Sequence, residues 1–377
     1  MLEQPSLWFI LVAFICAIGP LVFIHELGHY LVAKRFGVGA EVFSIGFGRE
    51  IVGWTDRSGT RWKVGWLPLG GFVRFVGDMN PASAPAAGAP DVPAEQRSRS
   101  FHHKPVWQRF LIVLAGPMAN FLLAILIFAA FFAALGFPRT PSVVTSIAPA
   151  SAAQSAGLAP GDRILSIDGR RTDSFEGLAS YVVLRPDEQV TLGIVRDGQR
   201  RQVSTRLARE LEKDRFGQQF EVGRLGVYAE GREYAKLSPL ELLPTATGYT
   251  LHLTRSMIDG LWQIISGRRS VKDLGGPLKI AQIAGQQASL GAFEFIQLLA
   301  FFSINLGFIN LLPVPMLDGG HLFFYAAEAV RRRPVSLQAQ EWAFRGGLAL
   351  ILALLLFTTV NDLDSFGLWD RLERLIG

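Results

Sequence analysis

Two histidines four residues apart, His25 and His29, enclose a glutamate, Glu26, at the end of a long apolar run. In an α-helix, residues i and i+4 lie on one face a turn apart, so both imidazoles can reach the same metal ion. In this HExxH pattern the glutamate is the general base, and it takes a proton from a water whose pKa the metal has lowered. The pattern predicts a zinc site with Glu26 as its base, although so short a string also arises by chance.

The apolar run that precedes the motif is long enough to cross a bilayer, which takes about 20 residues at a rise of 1.5 Å each. Ionisable groups at the end of such a run are costly in lipid and therefore indicate a function. No basic residue precedes the run, and no small-residue cleavage site follows it. We expect residues 6–30 to be a retained first span and not a signal peptide.

The composition indicates a protein that crosses the membrane several times. Hydrophobic residues make up 50% of the 377 residues, and charged residues only 18%. The single cysteine, Cys16, excludes an intrachain disulfide. The net charge of +5 is small, and the basic residues are spread through loops without interleaved aromatic residues, which argues against nucleic-acid binding.

The basic residues orient the predicted spans. Lys34 and Arg35 follow the first span, and further basic residues continue as far as Arg109. The positive-inside rule makes this loop cytoplasmic, so the HExxH motif lies at the cytoplasmic end of its span and the N-terminus lies outside. Arg331, Arg332 and Arg333 mark a second cytoplasmic loop.

Residues 42–77 read as short strands interrupted by glycine and proline. One interpretation is a small cytoplasmic sheet that packs its own apolar face. The other is a sheet that dips into the membrane beside the metal, where Gly70, Gly71 and Phe72 offer an edge to an extended substrate. Residues 80–98 are rich in alanine, proline and serine and are expected to be a flexible linker.

The second span, from Phe110 to Phe137, contains Gly116 and Asn120. Small residues let helix backbones approach closely, and asparagine is a rare polar group in lipid. Helix packing is the preferred interpretation of this cluster. The adjacent pair His102-His103 is interpreted as solvated, because neighbouring side chains point apart.

The composition changes over residues 138–230, where apolar runs shorten to strand length. The predicted strands are 143–147, 164–167, 190–195 and 201–207. The predicted helices are 150–157 and 175–183. The stretch GLAPGDRILSIDG, which begins at Gly157, resembles a circularly permuted bacterial PDZ domain. Such domains bind peptides by strand addition, and the predicted groove comprises Gly157, Leu158, Gly161 and Ile164. The alternative is a PDZ fold that serves only as a steric plug or spacer.

The stretch from Leu240 to Ile265 is partly apolar but carries His252, Arg255 and Asp259. We expect amphipathic helices on the membrane surface over residues 231–291.

The third span, Phe293 to Leu312, leads into two prolines that kink or unwind the helix before Asp318. This span runs inwards and brings Asp318 to the depth of the two histidines. Catalytic zinc sites use three protein ligands and leave a position for water. The candidates for the third ligand are Asp318, His321, Glu294, Glu328 and Asp362.

Of these candidates, Asp318 and His321 combine the right depth with an irregular helix, and Asp318 is preferred. His321 is interpreted as an interfacial histidine or as a support for the ligands. The fourth span is expected from Trp342 to Val360, followed by a short amphipathic tail.

The motifs together resemble the site-2 protease family of intramembrane zinc metalloproteases, most closely the bacterial regulator of sigma-E protease group. They are HExxH in the first span, G-P-x-A-N in the second, an inserted PDZ domain and L-D-G-G after the third span, in that order. The resemblance implies zinc ligation by His25, His29 and Asp318, with Glu26 as base. It also implies that Asn310 helps to hold an unwound substrate.

The same resemblance implies regulated intramembrane proteolysis in a bacterial inner membrane, with the active site towards the cytoplasm and the PDZ domain in the periplasm. The implied substrates are single-pass membrane proteins, such as a pre-cleaved anti-sigma factor or signal-peptide remnants. This chain has room for one PDZ domain where the best-known enterobacterial members have two, which puts a two-domain filter in doubt.

The expected fold is a polytopic α-helical membrane protein with four transmembrane helices, a membrane-associated β-sheet and one inserted extracytoplasmic PDZ domain. The expected segments are residues 1–36 (first transmembrane helix with HExxH), 37–105 (cytoplasmic or membrane re-entrant β region and linker), 106–137 (second transmembrane helix), 138–230 (PDZ domain), 231–291 (amphipathic surface helices), 292–330 (third transmembrane helix with the L-D-G motif) and 331–377 (fourth transmembrane helix and tail).

Two other functions compete with proteolysis. A membrane PDZ scaffold with a vestigial HExxH would have no use for the intact Glu26. A zinc carrier would need several polar sites along its path, whereas the spans offer one.

Overall fold

The structure is a computed structural model that describes residues 5–77, 93–172, 174–213, 219–229, 233–271 and 274–365. Most of the predicted linker and the end of the C-terminal tail lie outside these residues. Two compact units divide the chain: residues 1–128 with 275–362, and residues 129–274 with 363–377.

Helices and strands cover most of the described chain. The helices are α1 (Leu7–Arg35), α2 (Ala94–Arg97), α3 (Val106–Leu135), α4 (Ala152–Ser155), α5 (Phe175–Val183), α6 (Pro239–Ile265), α7 (Pro277–Leu290), α8 (Ala292–Leu311), α9 (Asp318–Arg331) and α10 (Leu337–Ser365). The strands are β1 (Ala40–Thr55), β2 (Arg61–Phe75), β3 (Phe137–Arg139), β4 (Ser146–Ile147), β5 (Arg163–Ile167), β6 (Arg170–Arg171), β7 (Gln189–Arg196), β8 (Gln199–Arg206), β9 (Ala208–Lys213), β10 (Gln219–Arg224), β11 (Val227–Tyr228) and β12 (Glu233–Ala235).

Four of these helices, α1, α3, α8 and α10, are long and apolar enough to cross a membrane. They coincide with the four predicted spans. The first helix lies within its expected segment, 1–36, and continues through the HExxH motif to Arg35. The motif therefore lies within the helix and not at its frayed end.

The segment predicted as the third transmembrane helix, 292–330, consists of two helices. The first, α8, ends at Leu311, and α9 starts at Asp318. Pro313 and Pro315 lack the N–H groups that a continuous helix would need. Met316 adopts a left-handed φ of 86°, which also interrupts the helix. As a result, Asp318 occupies the first turn of a new helix.

The predicted strands within residues 42–77 form the β1–β2 sheet. Residues 42–45 pair with 71–74 on one side and with 61–64 on the other, and 52–55 pair with 61–64. Residues 71–75 therefore form an outer segment, and no other described strand pairs with its second edge.

A hydrophobic core joins this sheet to the helices of the first unit. Phe43, Phe101 and Ile112 are almost fully buried in it, together with Tyr30 and Tyr325. Aromatic rings bury large apolar areas and hold their neighbours in defined orientations. This core places the sheet against the part of α1 that carries the HExxH motif.

The helices predicted to lie on the membrane surface differ from each other. The longer one, α6, belongs to the second unit and is not among the helices that could span a membrane. The shorter one, α7, belongs to the first unit, where Gly285 lies against Ile10 of α1. A glycine on the face of α7 lets it pack closely on the first span, and its location at the membrane surface stays a prediction.

The second unit contains a four-stranded antiparallel sheet in the order β6-β5-β7-β8. Its core includes Ile164, Leu178, Leu192 and Ile194. Helix α5 has the predicted bounds, whereas the predicted strand 143–147 is reduced to β4. The β9–β10 hairpin was not predicted.

Candidate active site

Both histidines of the HExxH motif are buried on one face of α1. The Nε2 atoms of His25 and His29 lie 3.2 Å apart. Asp318 lies beside them, and its Oδ2 atom is 3.0 Å from Nε2 of His25 and 3.4 Å from Nε2 of His29. All three ligand atoms lie within 4.8 Å of one another. The unwound segment before α9 makes this approach possible.

The donor atoms fit a metal cation. Nδ1 of His29 lies 2.9 Å from the carbonyl oxygen of Ile112, which can only accept a hydrogen bond. In a neutral imidazole this leaves Nε2 with its lone pair facing Asp318. Oδ2 of Asp318 is buried and has no hydrogen-bond partner. Lone pairs that converge in a buried site need a cation between them, and two histidines with one carboxylate form a familiar set for zinc.

The other candidates for the third ligand do not join the ligand cluster, although His321 lies close to it. Glu328 pairs with Arg109, and Asp362 accepts hydrogen bonds from two backbone N–H groups at the start of α7. Glu294 occupies the first turn of α8. The ring of His321 lies against Phe344, with centroids 5.1 Å apart, and His321 is not part of the ligand cluster.

A cavity of about 290 Å³ opens beside the three ligand atoms. Glu26 lines it and accepts a hydrogen bond from the backbone N–H of Val73, on the outer segment of the sheet. The predicted catalytic, metal and substrate residues all line this cavity: His25, Glu26, His29, Gly70, Gly71, Phe72, Asn310 and Asp318. The cavity therefore brings together residues from three distant parts of the chain.

The two glycines of the sheet have a structural reason to be glycine. Gly70 adopts a φ of 94°, which residues other than glycine rarely adopt. A Cβ on Gly71 would lie 2.7 Å from Val22 and 2.8 Å from the carbonyl oxygen of Ser44. Gly71 lets the outer segment approach α1 closely, and Gly70 permits the backbone conformation that precedes this segment.

The α3 helix contacts both ligand histidines. The interpretation of Gly116 and Asn120 as helix-packing residues missed this contact. The side-chain amide of Asn120 lies 3.2 Å from Nδ1 of His25. A Cβ on Gly116 would overlap the imidazole of His29. Gly116 and Asn120 have the same i, i+4 spacing as the two histidines. This shared spacing is a sequence signal that could have predicted the packing of α3 against α1.

In the second unit, two of the predicted groove residues are core residues. Leu158 is 6% exposed and Ile164 is 1% exposed, and both belong to the hydrophobic core. Their side chains therefore pack in the core of this unit, and the peptide groove stays a prediction. Gly157 and Gly161, which flank residues 158–160, adopt φ values of 69° and 94°.

The turn between these glycines is closed by Asp162. Its two oxygens accept hydrogen bonds from Arg196 at 2.6 and 2.7 Å, and Ala159 N–H donates to it at 2.8 Å. Arg196 also donates to the carbonyl oxygen of Gly157 at 2.8 Å. The G-L-A-P-G-D string therefore has a structural role in this unit.

A family model described as peptidase family M50 matches residues 13–354. The chain belongs to this family. M50 peptidases use zinc, and the four apolar helices agree with a membrane protein. The enzyme is a zinc metalloprotease.

Similar proteins of bacteria carry matching names. "Putative zinc metalloprotease Atu1380" of Agrobacterium fabrum is 41% identical over 360 residues, covering 94% of this chain and 96% of its own length. R01501 of Rhizobium meliloti, which carries the same description, is 43% identical and covers 91% of this chain and 93% of its own length. Metalloprotease MmpA of Caulobacter vibrioides is 36% identical over 97% of this chain and 98% of its own.

Among solved structures, the PDZ domain of the SdrC-like protein Lmo2051 from Listeria monocytogenes matches 25% of this M50 chain and 93% of its own length. The identity is 19% and the TM-score is 0.20, so this match carries no argument about the fold.

Proposed function

We propose that this M50 peptidase hydrolyses peptide bonds within the membrane-spanning segments of single-pass membrane proteins. The observation that carries the proposal is the convergence of His25, His29, Asp318 and Glu26 on one cavity formed by helices that are themselves apolar enough to span. A cleavage site at this depth is reached by a substrate that is also in the bilayer.

The proposed ligands are His25, His29 and Asp318. These residues would hold Zn²⁺, which would supply the Lewis acidity that polarises the scissile carbonyl and lowers the pKa of the attacking water. The carboxylate of Glu26 takes a proton from that water and passes it to the leaving amine. The hydrogen bond from Val73 N–H holds this carboxylate against the cavity.

A helical substrate hides its carbonyl groups in hydrogen bonds, so it must be extended before cleavage. The outer segment 71–75 supports this step, because its second edge is unpaired among the described strands and it lines the cavity. Asn310 lines the same cavity and offers a polar side chain to an unwound backbone. Phe72, Leu306 and Met316 provide apolar surface for the side chains of a membrane segment.

The β1–β2 sheet is proposed to lie in the membrane. Ile51 is 65% exposed and Trp66 is 62% exposed, although both are large and apolar. Exposed apolar surface of this kind marks an interaction site, and lipid satisfies it here. The unpaired edge avoids lipid because it faces the cavity.

The biological setting follows from the sequence resemblance and the positions of the basic residues. We place the enzyme in a bacterial inner membrane, with the active site towards the cytoplasm and the inserted domain, as a PDZ domain, in the periplasm. The substrate class is a single-pass anti-sigma factor already trimmed outside, or signal-peptide remnants. The inserted domain then screens substrates by size or by a newly exposed C-terminus.

The decisive experiment compares purified, zinc-loaded wild type with the Glu26→Gln variant in bilayers that contain a labelled single-span peptide. General acid–base catalysis is worth about 10²- to 10⁴-fold, so we expect Glu26→Gln to lose at least about a hundredfold in turnover. Glu294→Gln is the matched control, because this glutamate starts a span away from the ligand cluster and should leave turnover unchanged.

Mass spectrometry of the products locates the cut. A cut inside the apolar segment supports the proposal. Equal turnover by Glu26→Gln and wild type, or no cleavage by the zinc-loaded wild type over a range of such peptides, refutes it.

A further inference from the structure

Asn120 lies on α3 and its side chain is fully buried between spans. Its amide nitrogen is 3.2 Å from Nδ1 of His25. Its Oδ1 atom is buried and has no hydrogen-bond partner. An unpaired carbonyl oxygen in such a place is costly, so this side chain calls for an explanation beyond the filling of space.

The requirements of His25 supply that explanation. Nε2 of His25 faces Asp318, and a ligating Nε2 must keep its lone pair, so the proton of the neutral ring then lies on Nδ1. That Nδ1–H needs an acceptor. The oxygen and nitrogen of an asparagine amide exchange places by a half-turn, and their assignment follows from the hydrogen-bond network. The half-turned amide presents Oδ1 to the Nδ1–H of His25.

The second histidine is held in a corresponding way. Nδ1 of His29 lies 2.9 Å from the carbonyl oxygen of Ile112, also on α3. Thus α3 places one amide group against each proposed ligand histidine, at the ring nitrogen that does not face Asp318. Ligating histidines generally donate their second N–H to such a partner, which fixes the tautomer and the ring orientation.

We propose that Asn120 is a positioning residue of the metal site: its side-chain oxygen accepts the Nδ1–H of His25 and thereby directs Nε2 towards zinc. The proposal rests on the proposed function only in taking His25 as a ligand. It assigns no contact between Asn120 and the substrate.

Asn120 also has a packing role, which a test must separate from the positioning role. The hydroxyl of Ser303 on α8 donates to the backbone oxygen of Asn120 at 2.7 Å, and both residues are fully buried. Removing this hydroxyl disturbs the same helix contact without touching the His25 hydrogen bond. Ser303→Ala is therefore the matched control.

The test measures zinc affinity of the purified full chain by competition with a chromophoric chelator. Loss of such a partner typically costs about 10- to 100-fold in metal affinity, and we expect this loss for Asn120→Ala. Asn120→Asp keeps an acceptor of the same size and should stay within about threefold of wild type. Ser303→Ala should bind zinc as wild type does. Asn120→Leu keeps the volume without an acceptor and replaces the alanine variant if that variant does not fold.

Substitution with Co²⁺ adds a spectroscopic readout, because its visible absorption reports ligand geometry. The Asn120→Ala spectrum should change, and the Ser303→Ala spectrum should not. The proposal is overturned if Asn120→Ala and Asn120→Leu bind zinc as tightly as wild type with an unchanged cobalt spectrum. It is also overturned if Asn120→Asp is as weak as Asn120→Ala, or if Ser303→Ala is equally weak.

The His25→Ala variant distinguishes a failure of the positioning role of Asn120 from a failure of the proposed ligand set. If it loses zinc while Asn120→Ala does not, the metal site stands and the positioning role fails. If His25→Ala itself retains wild-type zinc affinity, the proposed ligand set fails.

Discussion

At the residue scale, the HExxH histidines depend on what lies behind them as much as on their own spacing. Asn120 and Gly116 of α3 lie against His25 and His29, in the same i, i+4 relation. Gly28, between the two histidines, lies against Ala115 and Ala119. Small residues at these positions let α1 and α3 approach closely enough for α3 to contact both ligand histidines.

Gly116 is the most restrictive of these positions, because a Cβ there would overlap Nε2 of His29. We expect Gly116→Ala to displace the imidazole and to weaken zinc binding by at least about tenfold. Chelator competition on the full chain measures this loss.

Gly346→Ala is the control for the Gly116 variant, since a Cβ on this glycine of α10 would meet nothing within 4 Å. It should keep wild-type affinity and gain slightly in helix propensity. Unchanged zinc binding by Gly116→Ala would show that the histidine is placed by other contacts.

At the element scale, the inserted unit depends on a short turn that an ion pair closes. The two-pronged hydrogen bond from Arg196 holds the pKa of Asp162 below its usual range, although burial of the carboxyl opposes this shift. A group whose pKa is depressed in the folded state stabilises the fold above its unfolded pKa, which is about 3.9 for aspartate. This stabilisation is lost as the pH falls through the lower folded value.

We therefore expect Asp162→Asn to destabilise the inserted unit by about 2–3 kcal/mol at pH 7, because charge-assisted hydrogen bonds are lost. The difference from wild type should shrink below about pH 4, where the wild-type carboxyl becomes protonated in the unfolded state, and should be lost as the pH falls through the lower folded pKa. Hydrogen exchange of β5 and β7 in the intact protein measures the effect.

Asp197→Asn is the control for the Asp162 variant. Asp197 follows Arg196 in a turn with a φ of 51°, a conformation that asparagine also tolerates. This variant should leave exchange unchanged. A pH-independent difference between wild type and Asp162→Asn would contradict the electrostatic explanation.

At the scale of the whole molecule, the first unit is assembled from two chain segments separated by the second unit. Asp362, near the end of α10, accepts hydrogen bonds from Gly276 N–H at 2.9 Å and Lys279 N–H at 3.0 Å. The last span thus caps the start of α7, which packs on the first span at Ile10. This contact joins the C-terminal part of the chain to its N-terminal part.

Loss of a helix cap costs about 1–2 kcal/mol, so we expect Asp362→Ala to increase hydrogen exchange in α7. Zinc affinity should not change, because Asp362 is not part of the ligand cluster. Asp364→Ala is the control, as this residue lies in the same helix and is exposed. Equal exchange in wild type and Asp362→Ala would show that α7 is held by its apolar contacts alone.

The sequence by itself determined the features that depend on near neighbours. Hydropathy located four spans, because about 20 apolar residues in a row have few alternatives to a helix in lipid. The spacing of His25 and His29 predicted a shared face for the same local reason. The prolines before Asp318 predicted the break that separates α8 from α9, since proline lacks the backbone N–H.

Only the tertiary structure decided which distant residues meet. It buried Leu158 and Ile164 in a core, placed α7 against α1, and brought Asn120 to His25. These contacts join residues far apart in the chain, and their existence depends on how helices and sheets pack and not on any local pattern. The same holds for Asp318, whose approach to 3.0 Å from His25 required the folded chain.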